Sequence, residues 1–489
     1  MEKIRQAGLL LPISALKGNY GIGDFGKDGY SLIKNLKENG FKLWQILPLN
    51  PLGFGHSPYQ PFSSFALDEL YLDLESLKKE GLLSSLPKKA PISDKVSYEK
   101  AREIKREYAY KAYLKDKNKA KKAMDEFKKS NSWVANYAVF ATFKDEDNRS
   151  WDHWEKRKQD YVSNPYNLNN KEKGMVNFHI WLQMKLYSQW NSLHEFALSN
   201  GIRIIGDIPF YVGFDSCDVW SDQDSFLLDP VTKQPTFIAG VPPDYFSATG
   251  QRWGNPIYNW DKFKQNGFSF LINRIALNAK LYDIIRLDHF RAFDTYWKIP
   301  SSCPTAVEGN WIEAPGYEFF DKLFASYPNI EIIAEDLGDL RNEVLVLRDH
   351  YNLPGMNVIQ FTFHDDVLEN KNGYNAYNSV VYLGTHDNDT TFSYVASLDE
   401  YERNRWLDAL SHMGLDRQNY VSSLIKFALR KDAKYVLLMA EDLLNEDSYS
   451  RINVPGIVDD RNWTYKLKDN NDLFEALKEY KEELKKDNR

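Results

Sequence analysis

The chain has 489 residues, a formal net charge of −7 and a pI near 5.8, a balance that excludes the basic footprint of a nucleic-acid or anionic-membrane partner. Two cysteines, Cys217 and Cys303, are too few for a disulfide framework and lack metal-ligand spacing, so no metal and no cofactor is expected. No signal-peptide core and no run of about 18 apolar residues occurs, which reads as cytoplasmic with no membrane partner. Length admits about three average domains or one α/β barrel with insertions. The 13 Trp, 30 Tyr and 28 Phe stand in a chain of mean hydropathy −0.55; a polar chain this aromatic has flat surfaces on which a sugar ring can lie.

In chain order, residues 9–26 read as loop, and their glycines lack the feeding strand and the Lys-Ser/Thr of a nucleotide fingerprint. A helix from about Gly26 to Glu38 leads into Phe41-Lys-Leu-Trp-Gln-Ile-Leu-Pro48, the first expected barrel strand. Its exit loop, Asn50 to Pro61, carries Ser57 and Tyr59 to the barrel mouth. Tyr71-Leu-Asp-Leu is read as the next strand. Residues 76–175, rich in Lys and Glu at helical spacing, read as a mostly helical insertion. A helix over 176–199 precedes a strand over 202–212 that ends near Asp207, and 220–262 reads as a loop insertion covering the active site. A helix over 262–281 and strands at 282–288, 330–335, 356–363, 378–384 and 434–440 complete the pattern, with a charged, frayed tail after Glu475. Strands alternating with helices argue for a single (β/α)8 TIM barrel spanning 1–489, with a doubly wound open sheet as the alternative.

Three of these strands close on acids: Arg286-Leu-Asp288-His-Phe-Arg, Ala-Glu335-Asp-Leu-Gly and Gly-Thr-His386-Asp387-Asn. In a parallel barrel such ends converge on one face. Strand alternation puts Arg286 and Asp288 on one side, where a guanidinium favours the ionised carboxylate; this is either an ordinary ion pair or a prepared nucleophile. Glycoside cleavage needs one ionised and one protonated carboxyl about the scissile bond. Glu335, preceded by Ile-Ile-Ala, fits the protonated partner, and Asp387 fits a group that binds ring hydroxyls and stabilises developing positive charge. Leu438-Met-Ala-Glu441-Asp-Leu repeats the Ala-Glu-Asp-Leu of residues 334–337, and spacing does not choose between Glu335 and Glu441.

These motifs resemble the catalytic strand ends of 4-α-glucanotransferases of the amylomaltase, or disproportionating-enzyme, family. The resemblance extends to Val241-Pro-Pro-Asp244-Tyr-Phe-Ser247-Ala-Thr-Gly250-Gln251-Arg-Trp253-Gly-Asn255-Pro-Ile-Tyr258, similar to that family's active-site loop, and runs from Leu11 to Arg451-Ile-Asn453-Val-Pro455-Gly456 and Asn462-Trp463. It implies Asp288 as nucleophile, Glu335 as acid/base, Asp387 as transition-state stabiliser, and donor-side contacts from Tyr59, Asp207, Arg286 and His386. Ser57, Asp244, Gln251, Trp253 and Asn255 are expected as further substrate contacts, with the aromatics of the 241–258 loop forming an acceptor platform. Ala292 stands where the family usually has Gly, and Glu441 where another polar residue is expected. The implied activity is transfer of α-1,4-glucan segments between maltooligosaccharides, by a monomer or homodimer without a separate C-terminal β-domain. An α-amylase-like hydrolase and a non-catalytic glucan-binding barrel are the alternatives.

Overall fold

The computed structural model describes residues 3–243, 247–368 and 377–489. Its strands, in chain order, are β1 (Gln6–Leu10), β2 (Leu43–Gln45), β3 (Arg203–Ile208), β4 (Phe237–Val241), β5 (Gln251–Pro256), β6 (Ile284–Leu287), β7 (Thr295–Pro300), β8 (Asn310–Glu313), β9 (Ile332–Ala334), β10 (Gly355–Val358), β11 (Ser379–Tyr382) and β12 (Tyr435–Met439). Eight of them form one parallel sheet in the order β10-β11-β12-β1-β2-β3-β6-β9. The sheet curls until Ala334 N donates to Pro354 O at 2.9 Å across the remaining gap. The result is a nearly closed barrel of (β/α)8 type, its strands buried on both faces and rich in Ile, Val and Leu.

The barrel's first strand is β1, which the sequence reading did not identify; it placed Leu9 and Leu10 at the start of a loop. Gly8 explains the close fit there, since a Cβ at that position would lie 2.4 Å from Leu43 Cβ on β2. Tyr71-Leu-Asp-Leu is not a strand. Asp68 accepts from Leu70 N at 3.0 Å and starts a 3-10 turn over Glu69–Tyr71, and Asp73 caps the helix Leu74–Lys79; short acids that bond the backbone locally compete with extended structure. The run expected to be strand over 356–363 leaves the sheet at Val358 and continues as the helix Ile359–Phe363.

Between β2 and β3 the chain builds the helices Tyr98–Asp116, Lys121–Ser130 and Trp133–Glu146, then the long helix Asn170–Ser199. A capping box starts the last of these: Asn169 Oδ1 accepts from Glu172 N at 2.9 Å while Glu172 Oε2 accepts from Asn169 N at 2.6 Å. The helix expected over 262–281 is two helices, Trp260–Gln265 and Ser269–Leu281, broken where Gly267 (φ 71) and Phe268 (φ 61) turn left-handed.

The stretch 220–262, read as a loop, contributes β4 and β5 to a four-stranded antiparallel sheet, order β5-β4-β7-β8. Its other two strands come from the chain after Asp288, so this sheet is rooted on both sides of that acid. The tail after Glu475 is packed rather than frayed: Leu477, Tyr480 and Leu484 are buried on one helical stripe and Arg489 Nε donates to Leu429 O. Among the described residues no helix is long and apolar enough to cross a membrane.

Candidate active site

Main-chain pairing places the acids. Beyond the ends of their strands, Asp288 N donates to Ile208 O and Glu335 N to Leu287 O, each at 3.0 Å, so the ladder β3-β6-β9 carries on for one more residue. Asp207 on β3 is directly opposite Arg286 on β6. The backbone therefore brings Asp207, Asp288 and Glu335 to neighbouring positions at the C-terminal mouth of the barrel, and His386-Asp387 arrives there after β11.

One buried guanidinium serves this group. Arg286 Nη1 donates to Asp207 Oδ1 and Oδ2 at 2.9 and 2.8 Å and to Asp288 Oδ1 at 3.0 Å. Asp207 and Arg286 are almost sealed from solvent, whereas the Asp288 side chain keeps 27% of its surface open to the cleft. Burial pushes the Asp288 carboxyl well above the carboxylate range; Arg286 opposes that, and the like charges of Asp207, Glu335 and Asp387 add to it. Burial also raises Glu335, against Arg286 and two backbone donors, His289 N to Oε2 at 2.7 Å and Leu337 N to Oε1 at 3.1 Å. Several acids around a single guanidinium keep a proton at a pH where separate carboxyls would have lost theirs.

Asp387 is more open than Asp288, its side chain 43% exposed. It is fixed from below: Asn453 Nδ2 donates to its Oδ1 at 2.6 Å, and Arg451 Nη2 to its main-chain oxygen at 2.7 Å. Beside it the His386 ring is buried, and desolvation lowers its pKa, leaving a neutral imidazole. Tyr59 stacks on that ring (centroids 5.2 Å, 15° between planes) and donates from its hydroxyl to Asp207 Oδ2 at 2.8 Å. Trp463 completes the wall, 5.6 Å from Tyr59 and 6.0 Å from His386.

The opposite flank belongs to β5. Trp253 and His289 meet edge to face (4.8 Å, 84°), and the Trp253 carbonyl accepts from Gln60 Nε2 at 2.9 Å. Gln251 Oε1 accepts from Trp253 Nε1 at 3.1 Å. Asn255 is buried and donates from Nδ2 to Val212 O at 2.8 Å, anchoring the strand. Tyr258, expected in an acceptor platform, is 1% exposed with its hydroxyl on Phe210 O, so it belongs to the core beneath. Ser57, half-buried, accepts from Tyr59 N at 3.2 Å and shapes the turn that presents that ring. Asp244, with Tyr245 and Phe246, lies outside the described residues.

Glu335 and Glu441 part company here. Glu335 is bonded to the backbone of the turn that follows Asp288. Glu441 is buried after β12, its Oε2 without a hydrogen-bond partner among the described residues; burial and then Asp442 and Glu446 push its carboxyl well above the carboxylate range. Asn453, Trp463, Gln60 and His289 also contact these residues, and sequence reasoning gave them no part. A left-handed turn at His289 was the least visible of them.

Residues 11–472 match the profile of a family described as 4-alpha-glucanotransferase. The 4-alpha-glucanotransferase of Aquifex aeolicus is 39% identical over 470 residues, covering 95% of this chain and 96% of that protein. Its counterpart from Thermus thermophilus is 38% identical, covering 96% and 95%. The amylomaltase from Streptococcus agalactiae, solved in complex with acarbose, superposes with a TM-score of 0.93 at 33% identity over 99% of both chains. With a barrel whose strand ends gather the expected acids and with relatives matched from end to end, the chain belongs to the 4-alpha-glucanotransferase family.

Proposed function

We propose that this enzyme transfers α-1,4-glucan segments between maltooligosaccharides by double displacement with retention, using Asp288 as nucleophile, Glu335 as acid/base and Asp387 as stabiliser of the oxocarbenium-like transition state. The observation that carries the reading is the pairing of Asp288, 3.0 Å from Arg286 Nη1, with Glu335, gripped by the amide of the next residue, on adjacent strand ends.

Burial makes the pair keep one proton. The direct contact from Arg286 favours placing the charge on Asp288 and leaving the proton on Glu335 when a glucan fills the cleft and excludes water. The Asp288 carboxylate attacks the anomeric carbon, the bond from that carbon to the glycosidic oxygen breaks, and the leaving oxygen takes the Glu335 proton. An acceptor 4-hydroxyl then gives its proton to the Glu335 carboxylate and attacks the same carbon, expelling Asp288 and restoring both acids. Asp387, oriented by Asn453, binds ring hydroxyls of the reacting glucosyl unit and faces its developing charge.

Tyr59, His386, Asp207 and Arg286 form the donor-side wall, with Ser57 behind Tyr59. Trp253 and Gln251 border the acceptor side, Asn255 steadies their strand, and Asp244 is assigned to the same loop. Every residue in this reading comes from one chain, so neither a monomer nor a homodimer is required by it. Incubation with maltotriose is the test: transfer yields glucose together with maltopentaose and longer chains, whereas hydrolysis yields only maltose and glucose.

A further inference from the structure

His289 follows the nucleophile and adopts a left-handed backbone (φ 50, ψ 49). This conformation is unfavourable for a residue with a side chain. The turn aims two successive amides at one residue: His289 N donates to Glu335 Oε2 at 2.7 Å and Phe290 N to Glu335 O at 3.0 Å. The His289 ring meets two others, Trp253 in an edge-to-face contact with centroids 4.8 Å apart and Tyr211 with centroids 6.5 Å apart. Trp253 is in turn tied to the Tyr59 loop through Gln60.

We infer that His289 is a positioning residue through which Trp253, on the antiparallel sheet, aligns the Glu335 carboxyl. The ring contacts offset the cost of the left-handed turn, and the turn delivers the hydrogen bond that orients the acid. The imidazole itself moves no proton. This inference rests on Glu335 being the acid/base.

The substitution series exploits the backbone. Glycine adopts positive φ without penalty and keeps the amide donor, whereas alanine keeps the donor but not the ring that holds the turn. The pH dependence of kcat/KM with maltotriose is measured for wild type, His289→Ala, His289→Gly and Trp253→Ala. A hydrogen bond to the carboxylate lowers its pKa, so losing the bond moves the alkaline limb up. His289→Ala is expected to fall about 10- to 100-fold with that limb displaced upward, and Trp253→Ala to fall less with a displacement in the same direction. His289→Gly should lie closer to wild type than His289→Ala, with its limb near the wild-type position. Adding Trp253→Ala to His289→Gly should leave the alkaline limb where His289→Gly puts it, because the two act on that limb through one contact, with any further loss confined to acceptor-side KM.

A second donor separates the inference from its premise. With α-maltotriosyl fluoride the leaving group needs no proton, so the His289→Ala deficit should shrink strongly. Equal losses in the Ala and Gly enzymes, with an unmoved limb and the same deficit on both donors, would overturn the inference and leave the ring as packing. A Glu335→Gln enzyme whose first-turnover release of fluoride falls as much as its cleavage of maltotriose would instead remove the premise.

Discussion

Asn453 Nδ2 lies 2.6 Å from Asp387 Oδ1, a bond between residues 66 positions apart that fixes a partly exposed acid. Arg451 braces both partners, donating to Asp387 O at 2.7 Å and to Asn453 O at 2.8 Å. The segment after β12 therefore sets the aim of an acid delivered by β11.

Removing that amide should damage catalysis more than folding. A hydrogen bond to a charged group contributes about 1.5 to 3 kcal/mol, so Asn453→Ala is expected to lose roughly 10- to 100-fold in kcat/KM for maltotriose. Asn453→Asp should be worse, since it sets a second carboxylate against Asp387. Steady-state kinetics beside a thermal melt decides the point: a variant with normal kcat/KM removes Asn453 from the account.

Tyr59 combines a stacked ring with a hydroxyl on Asp207. Tyr59→Phe keeps the ring and should raise KM by about three- to tenfold, the equivalent of one neutral-to-charged hydrogen bond partly replaced by Arg286. Tyr59→Ala removes the donor-side wall as well, and a larger loss is expected. Equal effects of the two substitutions would place the contribution in the hydroxyl alone.

Glu441 offers a test of stability and of the acid assignment together. Its folded pKa is raised, so the folded state binds its proton more tightly than the unfolded chain. Its contribution is fully present below the unfolded value, near 4.5, and is lost as pH rises towards the folded one. Glu441→Gln should therefore stabilise the protein at pH 7 and change nothing at pH 4, as read by denaturant melts at both pH values. The same variant should retain most transfer activity, while Glu335→Gln abolishes transfer from maltotriose. The reverse activity pattern would exchange the roles of the two residues.

The acid-tipped strand ends of the candidate site were legible because each is a short apolar run closing on an acid, and parallel strands deliver such ends to one face. Strand β1 was not. It is five residues long, sits beside a glycine- and proline-rich stretch, and finds its partners β2 and β12 at opposite ends of the chain. Nothing local to Asn453 announces a bond to Asp387, because a loop contact across 66 residues leaves no periodicity to read. The antiparallel sheet was hidden for a similar reason, its four strands split between stretches on either side of β6. A left-handed histidine has no sequence signature at all, unlike the glycine at 267.

The central claim is that Asp288 becomes covalently attached to the glucosyl unit. Glu335→Gln enzyme, given α-maltotriosyl fluoride, can expel fluoride without an acid but lacks the base that would pass the sugar on, so the ester should accumulate. Intact mass spectrometry followed by peptide mapping should find one maltotriosyl group on the peptide containing Asp288. An adduct on Asp387 or Glu441, or no adduct while fluoride is released at a normal rate, would contradict it.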